Sequence, residues 1–348
     1  MAFRFSRSFS NKLNAAPTLL LALANAVAVA CTYGARPGAA AFEHLPDEQA
    51  MTADQREILD QESAKQYMLK LINRDRASVG VGPVVLDDVA SKAGQLHSDE
   101  MATNGYLSHW TLDGRKPDQR YNDVGGKDAV MENAFVSLEG TAAEDSSREP
   151  AKLPLHSSQV FHKYELDQIE SSFFNEQPPN DGHRVNIIDP SHTSVGIGLS
   201  FASQFGMGVR TACAQEFVNH YGEAEEFPAK LTLGDPLVLK GTLSKGVNLT
   251  SIDIRWEALP KPISVAELNK TSSYSMPDKI TMTYSADPSQ SNDPIVVKKD
   301  GDQQSYALTI KTDKEWQPGL YYITYWASVN GKEDCIVSCR TVQLLAAQ

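Results

Sequence analysis

Phe173-Phe174-Asn175-Glu176-Gln177-Pro178-Pro179-Asn180-Asp181-Gly182-His183-Arg184 ends an apolar helical stripe on a carboxylate and opens the next turn on an imidazole. Leu166, Ile169, Phe173 and Glu176 are spaced three, four and three, which predicts a helix face shared by three apolar side chains and Glu176. A carboxylate on such a face is costly unless it is paired, hydrogen-bonded or near a cation. Pro178-Pro179 stops the helix, and Asn180 or Asp181 can cap a short one carrying His183, Ile187 and Ile188 before Asp189-Pro190. With Ser108-His109 and Glu132-Asn133 upstream, the chain offers two histidines and two glutamates for one cleft. Such a set can hold a divalent cation or do acid–base work.

Working outward, Ala64, Tyr67, Met68, Leu71 and Ile72 predict a first helix closed by Gly80 and Gly82-Pro83. A second follows Asp87-Asp88, with Ala93, Leu96, His97 and Met101 inward and Asn104-Gly105 as its stop. Residues 138–157 are polar and read as a surface insertion before the third helix, which is expected to run to Glu176. Val195 to Phe201 and Val209 to Phe217 predict an antiparallel strand pair. These elements make an α+β domain over residues 52–222. Residues 223–230, with Glu223-Ala224-Glu225-Glu226, read as an acidic linker. Over residues 231–348 the period changes to two. Leu237/Leu239, Ile252/Ile254/Trp256, Ile280/Met282/Tyr284, Ile295/Val297, Tyr306/Leu308/Ile310, Tyr321/Ile323/Tyr325 and Val342/Leu344 predict seven strands, as in an all-β immunoglobulin-like sandwich.

The 348 residues carry a net charge of −12, which argues against nucleic acid or an anionic membrane surface as partner. Residues 1–30 read as an export signal: Arg4, Arg7 and Lys12 precede an apolar run from Leu19 to Ala30 that is short for a membrane span. Ala28-Val29-Ala30 and Gly38-Ala39-Ala40 are alternative cleavage sites, and residues 31–51 read as a flexible tether. Cys31 stands where a lipoprotein cysteine would, although Ala28 replaces the leucine usual in such signals. Cys213, Cys335 and Cys339 remain beyond it. Residues four apart on an extended strand lie roughly 13 Å from each other, so a Cys335–Cys339 bond requires a turned backbone, and a disulfide-closed loop is the expectation.

The first domain resembles the CAP superfamily of cysteine-rich secretory proteins, antigen 5 and plant pathogenesis-related proteins, over about residues 56–222. The resemblance rests on Leu71-Ile72-Asn73-x-x-Arg76, Gly80 to Pro83, His97-Ser98-x-x-Met101, Gly105 to His109, Glu132-Asn133, Gly182-His183-Arg184-x-Asn186-Ile187 and Val195 to Gly198, in that order. It implies a three-layer α-β-α domain whose cleft carries His109, Glu132, Glu176 and His183, with Phe173 in place of the usual tryptophan. It also implies a divalent metal between His109 and His183, Zn²⁺ first, with Mg²⁺ or Ca²⁺ favoured where carboxylates and water dominate. Gly182-His183-Arg184 is similar to the bacterial form of the motif, and the cysteine pairs of animal members are missing. On a bacterial source the Asn248-Leu249-Thr250 and Asn269-Lys270-Thr271 sequons would be unmodified.

Singly, His109 and His183 read as hydrogen-bonded structural histidines; together, in this order, they read as a cleft. Glu132 reads as a cap or surface acid outside that context, Glu176 as an ion-pair member with Arg184 or another base, and His97 as a packing residue. Ser108 lacks the elbow and oxyanion loop of a nucleophile. Two functions follow. The first is a secreted, extracellular or periplasmic module that binds a lipid, glycan or protein. The second is a metal-dependent hydrolase in which His109 and His183 hold the ion and Glu132 or Glu176 activates water.

Overall fold

A computed structural model of the chain describes residues 51–139, 150–205, 207–271, 273–277, 280–290, 294–313 and 315–347. The export signal, both cleavage sites, Cys31 and the tether up to residue 50 lie outside the described residues.

The first domain starts with β1 (Ile58–Asp60), and Asp60 caps α1 (Gln61–Ser78) by accepting from the Ser63 amide at 2.8 Å. Then come β2 (Val85–Leu86), α2 (Asp88–Asn104), α3 (Pro117–Asp123), β3 (Ala129–Glu139), β4 (Val160–His162), α4 (Lys163–Phe174), α5 (Gly182–Ile188), β5 (Ser194–Gln204) and β6 (Gly208–Asn219). The central sheet runs β2-β5-β6-β3, with β2 parallel to β5 and the other pairs antiparallel. Alternation along β5 separates the layers. Val195, Ile197 and Leu199 join Met68, Ile72, Leu166, Ile169 and Phe173 of α1 and α4 in one core, whereas Gly196 and Gly198 face α2.

Gly196 and Gly198 permit backbone-to-backbone approach. A Cβ on Gly198 would lie 2.1 Å from the carbonyl carbon of Gly94, and one on Gly196 would lie 2.1 Å from that of Ala90. The small residues Ala90 and Gly94 on α2 thus settle directly on the sheet, giving the α-β-α layering.

The second domain adds β7 (Gly222–Ala224), β8 (Lys230–Thr232), β9 (Pro236–Leu243), β10 (Val247–Glu257), the short helix α6 (Val265–Leu268), β11 (Ile280–Ser285), β12 (Val296–Asp300), β13 (Gln303–Lys311), β14 (Gly319–Val329) and β15 (Asp334–Leu345). One sheet runs β11-β10-β14-β15-β8 and the other β12-β13-β9-β7. Leu237, Leu239, Ile252, Ile254, Leu308, Ile310, Tyr321, Ile323 and Val342 form one apolar core between them. All seven strands read from the period of two are present.

Several expectations are corrected. The acidic segment is partly strand, because β7 pairs with β9 and β8 lies parallel to β15. Within the expected surface insertion, Leu153 is fully buried beside Met101 and Tyr106. The disulfide-closed loop is absent: Cys335 and Cys339 sit on the continuous strand β15, and Cys213, Cys335 and Cys339 are all free thiols. Ladder bonds to β14 hold that strand extended, so the turn that closure requires does not form.

The domains pack closely. Asn122 of α3 donates to the Cys339 carbonyl at 3.1 Å and accepts from the Thr341 amide at 2.7 Å, and Lys116 pairs with Glu257 at 2.6 Å. Gly198→Ala is expected to cost about 3 kcal/mol or more, since backbone must give way to the added methyl, whereas Gly82→Ala, with open space around it, should stay within about 1 kcal/mol. Denaturant unfolding of the two variants checks this, and equal costs would show that α2 can ride off the sheet.

Candidate functional site

The motif fragments act first as clamps. Asn73 exchanges two side-chain bonds with the backbone of Val84, at 2.8 and 2.9 Å. Arg76, buried at the end of α1, donates to the carbonyls of Gly82, Ile187 and Asp189 at 2.6 to 3.0 Å. These bonds fix the C-terminal end of α5, the helix whose first turn presents His183.

The four expected residues come together. His109 follows α2, and its Nδ1–H donates to Glu132 Oε1 on β3 at 2.8 Å. His183 Nδ1–H donates to Glu176 Oε1 at 2.6 Å, and the His183 amide donates to Glu176 Oε2 at 2.9 Å. The two imidazole centres stand 6.5 Å apart with planes inclined at 46°, and Phe173 packs 4.7 Å from the His183 ring. Both histidines are 6% exposed.

One placement is corrected. α4 ends at Phe174 with Asn175 as its C-cap, so Glu176 stands beyond the helix and is partly exposed. It reaches His183 from the loop rather than from the buried face. Of the bases open to it, Glu176 takes His183 rather than Arg184, which donates to the Phe174 carbonyl and lies over that ring, 4.1 Å from its centre. Ser108 is also engaged elsewhere, sharing a 2.6 Å bond with Thr271. His97 packs in the core and donates from Nε2 to the Ser108 carbonyl at 2.8 Å.

Beneath His109 lies a buried charge cluster that the sequence reading missed. Glu132 and Glu216 are direct cross-strand partners on β3 and β6, both wholly buried, and Arg120 of α3 donates to Glu132, to Glu216 at 3.5 Å and to the His109 carbonyl at 2.7 Å. Burial raises both carboxyls. Glu216 lies well above the usual range because the Glu132 charge adds to burial, while Arg120 offsets part of the rise. Burial also works against the Arg120 charge, but Glu132 and Glu216 outweigh it and hold the guanidinium protonated. One cation between two carboxyls leaves one proton for the pair, carried by Glu216. Burial, with the neighbouring His183 and Arg120, lowers His109 to about 3, so its contact with Glu132 is a neutral-imidazole hydrogen bond rather than an ion pair.

A second buried network supports His183. Asn186 donates to Asn133 at 3.0 Å, Asn133 donates to the His183 carbonyl at 3.1 Å and to Gln215 at 3.0 Å, and Gln215 donates to Glu170 at 2.6 Å. Burial pushes Glu170 up to about 8, with the Gln215 bond opposing it. Sequence signals for these residues existed. Pro117 marks a helix start, and Gln215-Glu216 is a polar pair inside an apolar strand.

The second domain also reaches the cleft. Tyr274 lies 4.9 Å from the His109 ring, and its hydroxyl accepts from the Glu132 amide at 3.2 Å.

Two imidazoles, each bonded to its own carboxylate, are a donor pair of the kind that the family resemblance implies for a divalent ion. His109, neutral, gives its Nδ1–H to Glu132 and so carries its lone pair on Nε2, and His183 likewise gives its Nδ1–H to a carboxylate, the arrangement that orients histidine ligands. Two imidazoles on one Zn²⁺, with bonds of about 2.0–2.1 Å, have centres roughly 5–6 Å apart, close to the separation seen here. Among the described residues, no three His, Cys, Asp or Glu side chains form a metal-holding group.

Residues 69–217 match the model of the cysteine-rich secretory protein family, CAP. Among solved structures, an extracellular protein containing an SCP domain from Bacillus anthracis aligns at 16% identity over 45% of this chain, with a TM-score of 0.30. This chain spans 41% of that protein's length. An outer surface protein from Borrelia burgdorferi aligns at 12% identity over 47% of this chain and 98% of its own, with a TM-score of 0.31. Comparison with curated proteins finds no match. Among the described residues, no helix is long and apolar enough to cross a membrane.

Two outcomes are expected. At pH 7, Glu216→Gln should change stability by no more than about 1 kcal/mol because the group is already neutral, whereas Arg120→Met should cost about 3–5 kcal/mol by stranding Glu132. Denaturant unfolding ranks the two, and the reverse order would show Glu216 ionised. For Glu170, the unfolded chain releases its proton above about pH 4.5 while the folded chain keeps it to about 8, so stability falls as pH rises through that window. Glu170→Gln should flatten this dependence and raise stability at pH 8 by on the order of 4 kcal/mol. A wild-type profile matching that of Glu170→Gln between pH 5 and 8 would contradict it.

Proposed function

Residues 69–217 of this chain form a CAP domain, and from that premise we propose that the protein is an exported binding module whose His/Glu cleft takes a small ligand or ion outside the cytoplasm. One observation carries the reading. His109 and His183 are each locked by their own carboxylate, with ring centres 6.5 Å apart. His109 and His183 would hold a divalent ion through Nε2, with Zn²⁺ ahead of Mg²⁺ or Ca²⁺ for an imidazole pair. Glu132 and Glu176 keep both rings in the ligating tautomer, and Arg120 with Glu216 keeps Glu132 in place. An ion bound there would act as a Lewis acid towards an oxygen ligand.

The hydrolase alternative asks Glu132 or Glu176 to take a proton from water. Glu132 is wholly buried and bonded to His109 and Arg120, and Glu176 holds His183 through two bonds. Both carboxylates are therefore occupied in orienting histidines, which supports binding over turnover.

Export is part of the proposal and rests on the leader in residues 1–30, with Cys31 as an optional lipid anchor. Residues 52–222 and 231–348 are taken as the two units. We keep the immunoglobulin-like reading of the second, which draws support from two sheets facing one core. The partner outside the cell is a lipid, a glycan or a protein.

Metal analysis of the purified chain tests the site. About one Zn²⁺ per chain is expected, lost in either His109→Ala or His183→Ala, and weakened by roughly 10- to 100-fold in Glu132→Gln or Glu176→Gln. Metal content equal to wild type in both histidine variants would sink the reading.

A further inference from the structure

The connection between β10 and β11, from Glu257 to Ile280, is longer than the roughly 12–15 residues beyond which a structureless loop is uncommon. It leaves its own sandwich and lies against the first domain. Leu268 at the end of α6 is wholly buried beside Met101, Tyr106 and Ala134. Asn269 accepts from the Leu107 amide at 3.0 Å and donates to the Gly105 carbonyl at 3.4 Å, and Thr271 bonds Ser108. The hydrogen-bonded anchors all fall on Gly105 to Ser108, the segment that leads into His109. Beyond them Tyr274 is partly exposed, with its ring 4.9 Å from His109 and its hydroxyl bonded to the Glu132 amide.

A packing contact between domains needs only the Leu268 anchor. Tyr274 does something more, because it stands over the buried side chain from which the cleft reading starts. We propose that Tyr274, delivered by the second domain, is a wall and specificity-determining residue of the His109/His183 cleft, admitting an ion or water-sized ligand and excluding a polymeric chain. The inference deepens the proposed function and rests on its cleft. The chemistry agrees with the low exposure of both histidines: a hydrated cation can shed water and pass a narrow opening, whereas a peptide or glycan must displace the ring.

The test is carbethoxylation of histidines in the full chain by diethyl pyrocarbonate, read by mass spectrometry, with half-exposed His220 as internal reference. In wild type, His109 should react well below His220. In Tyr274→Ala its relative rate should rise roughly tenfold, as expected when a local cover is removed. Tyr274→Phe retains the ring and should stay protected. Asn269→Ala, which cuts the anchor without touching the cleft, should give a smaller rise and serves as the second variant if Tyr274→Ala does not fold. Equal His109 rates in wild type and in whichever of the two opening variants folds, or a wild-type rate matching His220, would overturn the proposal. Calorimetric titration with Zn²⁺ alone separates it from the site reading. Wild type and Tyr274→Ala should bind within a few-fold of each other. Zinc bound only by Tyr274→Ala would overturn the passage of ions. Zinc bound by neither, with the His109 response intact, would sink the metal reading and leave Tyr274 as the wall.

Discussion

Arg120 is the constraint on which the site depends. Its guanidinium, on a helix of seven residues, meets Glu132 on β3, Glu216 on β6 and the backbone carbonyl of His109. Two carboxyls that face each other across a ladder, wholly out of water, would repel if both ionised. Arg120 lets one of them stay charged, and that one orients His109. A buried charge cluster is weak evidence for stability in itself, but a specific geometry can depend on it. Here that geometry is the Nδ1–H donation that fixes the tautomer and orientation of the His109 ring.

The two histidines are held by different means. His109 has a buried carboxylate, neutralised from behind. His183 has a partly exposed one at the end of a loop, with its backbone fixed by the amide chain through Asn133, Asn186 and Gln215. The β-sheet links them, because Glu132 and Asn133 are neighbours on β3 and point to opposite faces. One face serves the α3 side and the other serves the α4 and α5 side. The Glu-Asn pair therefore makes sense as a unit: its first residue orients one imidazole and its second anchors the backbone of the other.

The helices and the β5–β6 pair are legible because they rest on local signals, whereas the three-layer order and the grouping of His109, Glu132, Glu176 and His183 follow from the order of the motif fragments and the resemblance they carry. Apolar residues at helical spacing, the Asn104-Gly105 stop and paired glycines in β5 all act within a few residues of one another. Glu176 was placed on a helix face because its spacing continues that of Phe173, yet the helix ends two residues earlier; the Gly182-His183 turn, rather than the helix period, brings the carboxylate to its imidazole. Arg120 and Glu170 are ordinary in composition and unusual only in burial, and Glu216 is marked only as a polar residue inside an apolar strand. The Cys335–Cys339 loop failed for a tertiary reason: hydrogen bonding to β14 keeps extended a segment that a short spacing alone would let turn.

The second domain is where sequence reading was least able to see function. Its period of two predicts strands, and the strands are there, but a connection between two of them has no period to read. Asn269, Thr271 and Tyr274 gain their meaning only from the surface they lie on. That surface is the segment leading into His109, together with the His109 ring and the Glu132 amide. Because β15 also packs on α3, the element that carries Arg120 is held by the same domain that supplies Tyr274. The cleft is therefore a property of the two-domain chain: its floor depends on a helix that the second domain supports, and its wall is a residue that the second domain delivers.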